Sequence, residues 1–177
     1  MKILTHICCG PCGMVFTSGL ARDGFATTLL WYNPNIHPLT EYRLRKRGAV
    51  DFAENGDFAL IADEKENYGL RPFLAAVWDD FENKCEICCR MRLEHTARRA
   101  AAGGFDAFST TLLASPYQNH DAISRIGKEI GDAHGIEFFA RDYRATYRAG
   151  LATARGEGIY MQKYCGCVFS EEERYRK

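Results

Sequence analysis

The stretch Lys2-Ile-Leu-Thr-His6-Ile-Cys8-Cys9-Gly10-Pro11-Cys12, followed by Gly13-Met14-Val-Phe-Thr-Ser-Gly-Leu-Ala-Arg22, decides the fold. Residues 2–7 form a short apolar run ending in a Gly-Pro turn, and residues 14–22 carry helical spacing stopped by Asp23-Gly24, which predicts a strand, a loop and a helix. The unit recurs. Residues 26–32 are a second apolar run broken by Asn33-Pro34-Asn35, and 40–52 read as a helix with a basic face of Arg43, Arg45, Lys46 and Arg47. Further strands are expected at 58–62, 105–113 and 136–140, with helices near 71–78, 86–102 and 118–134. The tail from Ser170 reads as a short helix or a frayed end. Such alternation predicts an α/β fold, a mainly parallel sheet with right-handed crossovers and helices on both faces. Ligands in open sheets of this kind sit beyond the carboxyl ends of the strands, where the first cysteine group falls. With no linker, repeat or low-complexity stretch, residues 1–177 are expected to form a single α/β domain.

The 46% hydrophobic and 26% charged content match a folded globular protein. No run approaches the ~18 apolar residues of a membrane span, so no membrane partner is expected. The apolar run after Lys2 is too short for a secretory signal, and a reducing cytoplasm is the expected compartment. Net charge is zero, yet residues 51–82 hold nine acids (Asp51, Glu54, Asp57, Asp63, Glu64, Glu66, Asp79, Asp80, Glu82) against Lys65 and Arg71. The rest of the chain is correspondingly basic. One face could attract a polyanion, although two solvated surfaces of opposite sign give the same sum.

All eight cysteines fall in three tight groups: Cys8-Cys9-x-x-Cys12, Cys85-x-x-Cys88-Cys89 and Cys165-Gly166-Cys167. In a reducing compartment this grouping points to metal or redox chemistry rather than structural disulfides. Cys85-x-x-Cys88 opens a predicted helix, so both thiolates can point the same way near the positive end of its dipole. Cys8 and Cys9, at a strand-to-loop junction, can converge on a polynuclear cluster, and the two pairs together make a four-thiolate set. A structural zinc shares the C-x-x-C spacing but leaves Cys12, Cys165 and Cys167 without use. A disulfide between Cys165 and Cys167 would close a small strained ring that is readily reduced, which suits a redox dithiol; a thiolate clamp on a second metal and a merely structural pair are the alternatives.

Polar candidates gather in the expected strand-to-helix loops. His37 and His120 lie there and His6 stands two residues before Cys8, whereas His95 and His134 fall inside predicted helices and read as structural. Asn35, Tyr117 and Gln118 have donors and acceptors suited to a polar nucleobase, or to capping their own helices. Arg141, Arg144, Arg148 and Arg155, interleaved with Tyr143 and Tyr147, are candidates for phosphate contact, or an ordinary solvated helix face.

Five stretches carry a family resemblance: His6-Ile-Cys8-Cys9-Gly-Pro-Cys12, Tyr32-Asn-Pro-Asn-Ile-His37-Pro, Cys85-x-x-Cys88-x-x-x-Arg92-Leu93, Thr110-Thr111-Leu-Leu-x-Ser115-Pro-Tyr117-Gln118-x-His120 and Tyr160-x-Gln162-x-Tyr164-Cys165-Gly-Cys167-x-x-Ser170. Together they span nearly the whole chain, in order, and resemble the QueH family of epoxyqueuosine reductases. The resemblance implies a Rossmann-like (HUP-like) domain that reduces epoxyqueuosine to queuosine at the wobble position of certain tRNAs, the last step of that modification, using an electron donor that the sequence does not identify. It further implies that Cys8, Cys9, Cys85 and Cys88 hold a [4Fe-4S] cluster and that Cys165 and Cys167 are redox-active. Cys12, alone or with that pair holding an additional mononuclear iron, is a candidate for catalysis. Cys89 departs from the family, in which an aromatic residue is usual. The related P-loop-like pyrophosphatases need an SGGxDS loop that is missing here. The competing readings are a zinc-stapled RNA-binding module and a small iron–sulfur electron carrier.

Overall fold

The computed structural model describes residues 1–62 and 68–176. Asp63, Glu64, Lys65 and Glu66 of the acidic stretch lie outside the described residues. Strands β1 (Lys2–His6), β2 (Ala26–Trp31), β3 (Leu60–Ala62), β4 (Ala107–Thr110) and β5 (Glu137–Phe138) form a five-stranded sheet in the order β3-β2-β1-β4-β5. Every pairing is parallel; His6 on the central strand stands opposite Leu30 on one side and Thr110 on the other. Ile3, Leu4, Thr5 and His6 are wholly buried, because a central parallel strand is covered on both faces.

The α-helices among the described residues are α1 (Gly10–Arg22), α2 (Leu39–Asn55), α3 (Leu70–Val77), α4 (Lys84–Ala102), α5 (His120–His134), α6 (Tyr147–Gly156) and α7 (Val168–Tyr175). α1 packs on α2 and α6, and α4 packs on α5, giving the two layers that right-handed crossovers require. The core joins Leu4, Phe16 and Leu20 to Leu93, Phe108 and Ile126. Among the described residues no helix is long and apolar enough to cross a membrane.

Three departures from the sequence reading matter for the site. First, α1 starts at Gly10 rather than Met14, because Pro11 sits in the first turn, where its missing N–H has no helical partner to lose; Cys12 is therefore helical. Second, the strand expected over 105–113 stops at Thr110, whose hydroxyl accepts the Leu112 N–H and opens a 3-10 turn over Thr111–Ala114. Third, 147–156 is a helix, which the sequence offered only as the alternative to phosphate contact for this basic stretch. The basic face of α2 is also corrected: Arg45 is only 2% exposed and points inward.

Candidate metal centre

Strand order turns at β1, running to β2 and β3 on one side and to β4 and β5 on the other. The carboxyl ends of β1 and β4 therefore flank the crevice in which open α/β sheets bind ligands. Cys8 and Cys9 follow β1 and Cys12 lies in the first turn of α1, so their three sulfurs come within 4.8 Å of one another, a group able to hold a metal ion. The turn after β4 supports them: the Cys8 amide donates to Thr111 Oγ1 at 3.1 Å, and the Thr111 hydroxyl donates to Cys8 Sγ at 3.4 Å.

Beneath this loop His6 bridges the two strands. Its Nδ1 is 2.9 Å from Thr110 Oγ1 and its Nε2 is 3.0 Å from Asn33 Oδ1, while Asn33 Nδ2 donates to the Ile7 carbonyl at 2.9 Å. Because the Asn33 amide nitrogen is committed to Ile7, its oxygen faces His6 and the ring carries its proton on Nε2. Burial, with the nearby Arg92 cation, lowers the ring to about 4, so His6 is a neutral bracket between strands.

A cavity of about 560 Å³ opens before this loop, and six of the eight cysteines line it: Cys8, Cys12, Cys85, Cys88, Cys165 and Cys167. Asn35, Tyr117 and Gln118 share the wall. Cys9 is 1% exposed and lies behind it, its sulfur 3.8 Å from that of Cys8. The thiols of Cys12 and Cys9 donate to Cys8 and hold it well below the ordinary thiol value; Cys12, as donor, is pushed well above it, and burial pushes Cys9 up.

Cys85 and Cys88 enter from the start of α4, Cys85 exposed and Cys88 buried. Burial pushes Cys88 up to about 12 against the pull of Arg92, whose Nη2 donates to Cys88 Sγ at 3.2 Å and whose Nε donates to the Cys88 carbonyl at 3.0 Å. On the opposite wall, Arg45 donates to the carbonyls of Tyr164 and Cys165, each at 2.8 Å, and the His37 amide donates to the Gly166 carbonyl at 2.7 Å. Gly166 has φ of +147°, so glycine is what lets the chain present cysteines on both sides of this turn. Cys167 caps α7, its sulfur accepting the Ser170 N–H at 3.4 Å.

Sulfur dominates the donors, and Arg45, Arg92, Lys84 and Lys163 set positive charge around them. That donor chemistry suits a soft, thiophilic centre such as an iron–sulfur group.

The remaining candidates separate clearly. His37 and His120 do not line the cavity: the first donates through Nε2 to the Pro34 carbonyl at 3.0 Å, and the Nε2 of the second lies 3.1 Å from the Ser115 carbonyl. Cys89 packs in the core beside Leu93 and Ala97 as a small apolar residue. Arg141 lies over the Phe139 ring, whereas Arg144, Arg148 and Arg155 line a neighbouring groove. Sequence reasoning gave no role at the site to Arg45, Arg92 and Thr111, or to Gln162, which lines the cavity. Arg92 had a usable signal, since a residue four positions after Cys88 shares its helix face.

Similarity to known proteins agrees with this geometry. A solved structure, a predicted subunit of tRNA methyltransferase from Methanocaldococcus jannaschii, shares the fold with a TM-score of 0.55 at 12% identity, over 94% of each chain. Among curated relatives, epoxyqueuosine reductase QueH of Thermotoga maritima is 37% identical over 99% of this chain and 93% of its own length. The QueH of Dehalococcoides mccartyi is 34% identical over 99% of this chain and 96% of its own. Residues 3–173 match the family model described as epoxyqueuosine reductase QueH. A chain that gathers its cysteines at the switch point of a parallel sheet, and matches that model over nearly its whole length, belongs to the QueH family.

Proposed function

We propose that this chain is an epoxyqueuosine reductase that acts on tRNA and converts the epoxide of the wobble base to the alkene of queuosine. The observation that carries this reading is the convergence of six cysteines from three separate segments on one cavity, in a chain of this family. Both carbon–oxygen bonds of the epoxide break, a carbon–carbon double bond forms, and the oxygen leaves as water. Two electrons and two protons are consumed.

Cys165 and Cys167 match that demand, since oxidation of a dithiol to a disulfide releases two electrons and two protons. Arg45 holds the Cys165 carbonyl and His37 holds the carbonyl of Gly166 between the two cysteines, which keeps this turn at the cavity wall. Cys8, Cys9, Cys85 and Cys88 are the proposed ligands of a [4Fe-4S] cluster, and such a cluster, when bound, passes electrons singly. Arg92 fixes Cys88 by bonding its sulfur and carbonyl together. Cys12, with the dithiol, is the candidate ligand set for an additional mononuclear iron. Asn35, Tyr117 and Gln118 offer polar contacts to the entering base. His6, His37 and His120 act as supports rather than as base contacts, given their bonds to neighbouring strands and loops. A cellular electron donor restores the dithiol after each turnover.

Anaerobically purified protein is expected to be brown and, given tRNA bearing epoxyqueuosine and dithionite, to yield queuosine on nucleoside analysis. Colourless zinc-loaded protein would support an RNA-binding module instead. Brown protein without conversion would support an electron carrier.

A further inference from the structure

A second cavity, of about 690 Å³, adjoins the thiol cavity, and Tyr117 and Tyr147 are common to both linings. Their rings meet edge to face with centroids 6.0 Å apart, and Tyr117 is 83% exposed at the boundary. Across the groove, α6 presents Arg148 and Arg155 on either side of Leu151. The two arginines stand seven positions apart, which puts them on one helix face about 10 Å apart along the axis. Arg144 is held by Asp142 at 2.6 Å, whereas among the described residues no ion pair engages Arg148 or Arg155.

A base drawn into the thiol cavity remains attached to its strand, so the next nucleotide must lie one step from the entrance. Single-stranded RNA is held by aromatic rings on which bases stack and by cations that meet successive phosphates. The groove offers one exposed ring on the cavity's edge and two unpaired guanidiniums beyond it. We propose that it is a second subsite, in which the nucleotide flanking the target base stacks on Tyr117 while its phosphates rest on Arg148 and Arg155. This rests on the reductase reading for the base that enters the thiol cavity. The subsite itself reads only a stacked ring and phosphates.

The test is binding of an anticodon stem-loop RNA with unmodified guanosine at the wobble position, followed by fluorescence anisotropy across a salt series. Replacing both arginines (Arg148→Gln with Arg155→Gln) should weaken binding and reduce the slope of log affinity against log salt by about 1.4, at about 0.7 per phosphate on a single strand. The double lysine variant should keep most of the slope. Tyr117→Leu should weaken binding about 5- to 150-fold with the slope unchanged, and Tyr117→Phe, which keeps the ring and loses only the hydroxyl's contact to the entering base, should restore most of it. Absence of binding by the wild type, an unchanged slope in the double glutamine variant, or unchanged affinity in Tyr117→Leu would each overturn the subsite. Binding needs no turnover, so a wild type that binds through this groove yet yields no queuosine would sink the reductase reading and leave the subsite standing.

Discussion

Arg45 donates a 2.8 Å hydrogen bond to the carbonyl of Cys165, joining α2 to the dithiol loop across 120 positions of sequence. The same guanidinium binds the Tyr164 carbonyl and, through Nε, Glu41 at 2.6 Å, while the Tyr160 hydroxyl donates to the other Glu41 oxygen. Both charges are buried and both are satisfied, so the pair acts as a clasp that holds the loop against the cavity. Removing one partner would leave the other charge stranded.

Arg45→Met should therefore cost about 3–5 kcal/mol, the usual penalty for breaking a buried ion pair. Urea denaturation of the metal-free protein gives the magnitude. Because the loop loses two carbonyl anchors, alkylation of Cys165 by iodoacetamide should also quicken under native conditions. Arg45→Lys should recover only part of the loss, since an ammonium cannot serve both carbonyls and Glu41 in the fixed geometry of the guanidinium fork. Unchanged stability in Arg45→Met would mean that the loop is held by His37 and Ser170 alone.

Gly10 opens α1 against α2 and the segment after α6. A Cβ there would stand 2.7 Å from the Gly48 carbonyl oxygen and 2.5 Å from Ile159 Cγ2. Gly10→Ala must push α1 away from α2 and is expected to cost about 1–3 kcal/mol. Since Cys9 and Cys12 flank that turn, the shift should also lower the iron retained after anaerobic reconstitution. Gly156→Ala is the control: a Cβ there meets nothing within 4 Å, and stability should stay level or rise by about 0.4–1 kcal/mol. Equal stability of the two variants in thermal unfolding would refute the close-contact argument.

His37 gives a pH dependence with a definite sign. Its Nε2–H is committed to Pro34, its Nδ1 has no partner among the described residues, and burial among Tyr68 and Phe73 lowers its pKa from 6.5 to about 4. Between those values the unfolded chain binds a proton that the folded chain refuses. Stability is therefore complete above about pH 6.5, falls as the pH drops by at most about 1.4 kcal/mol per unit, and levels off below about 4. The measurement is the difference in urea midpoint between wild type and His37→Phe over this range. The wild-type value minus that of the variant should fall as the pH drops from 7 to 5; a constant difference over that range would show that His37 is not the group responsible.

Much of the architecture was legible because parallel strands buried on both faces leave continuous apolar runs, as at 2–7 and 26–32, and the helices between them keep their period. The cysteine grouping was legible for a similar reason, since three local clusters must meet at one end of such a sheet. What escaped was non-local. Nothing in the basic run of α2 marks Arg45 as buried, because its partners are backbone carbonyls at 164 and 165. Likewise, His6 looks like a site residue from its place before Cys8, yet strand pairing puts it between Thr110 and Asn33. The helix over 147–156 was legible only as one of two readings of its arginines, because its only fully buried side chain is Ala154, which leaves almost no apolar stripe.

Cys12 and Cys89 offer the sharpest separation of roles among the thiols. Both are nearly buried, at 4% and 5% exposure, so accessibility does not distinguish them. Their neighbours do: Cys12 shares a sulfur triad with Cys8 and Cys9, whereas Cys89 sits among Leu93, Ala97 and the rest of the core. Cys89→Ala should lose about 1–2 kcal/mol of stability and keep both iron content and conversion of epoxyqueuosine. Cys12→Ser should keep the brown colour and most of the iron while losing turnover, in line with a role beside the proposed cluster rather than as one of its ligands. Iron counted per chain decides the matter. About four irons in Cys12→Ser against about five in the wild type would place a mononuclear iron on Cys12. Loss of colour together with turnover would make Cys12 a cluster ligand instead, as its distance from Cys8 and Cys9 allows.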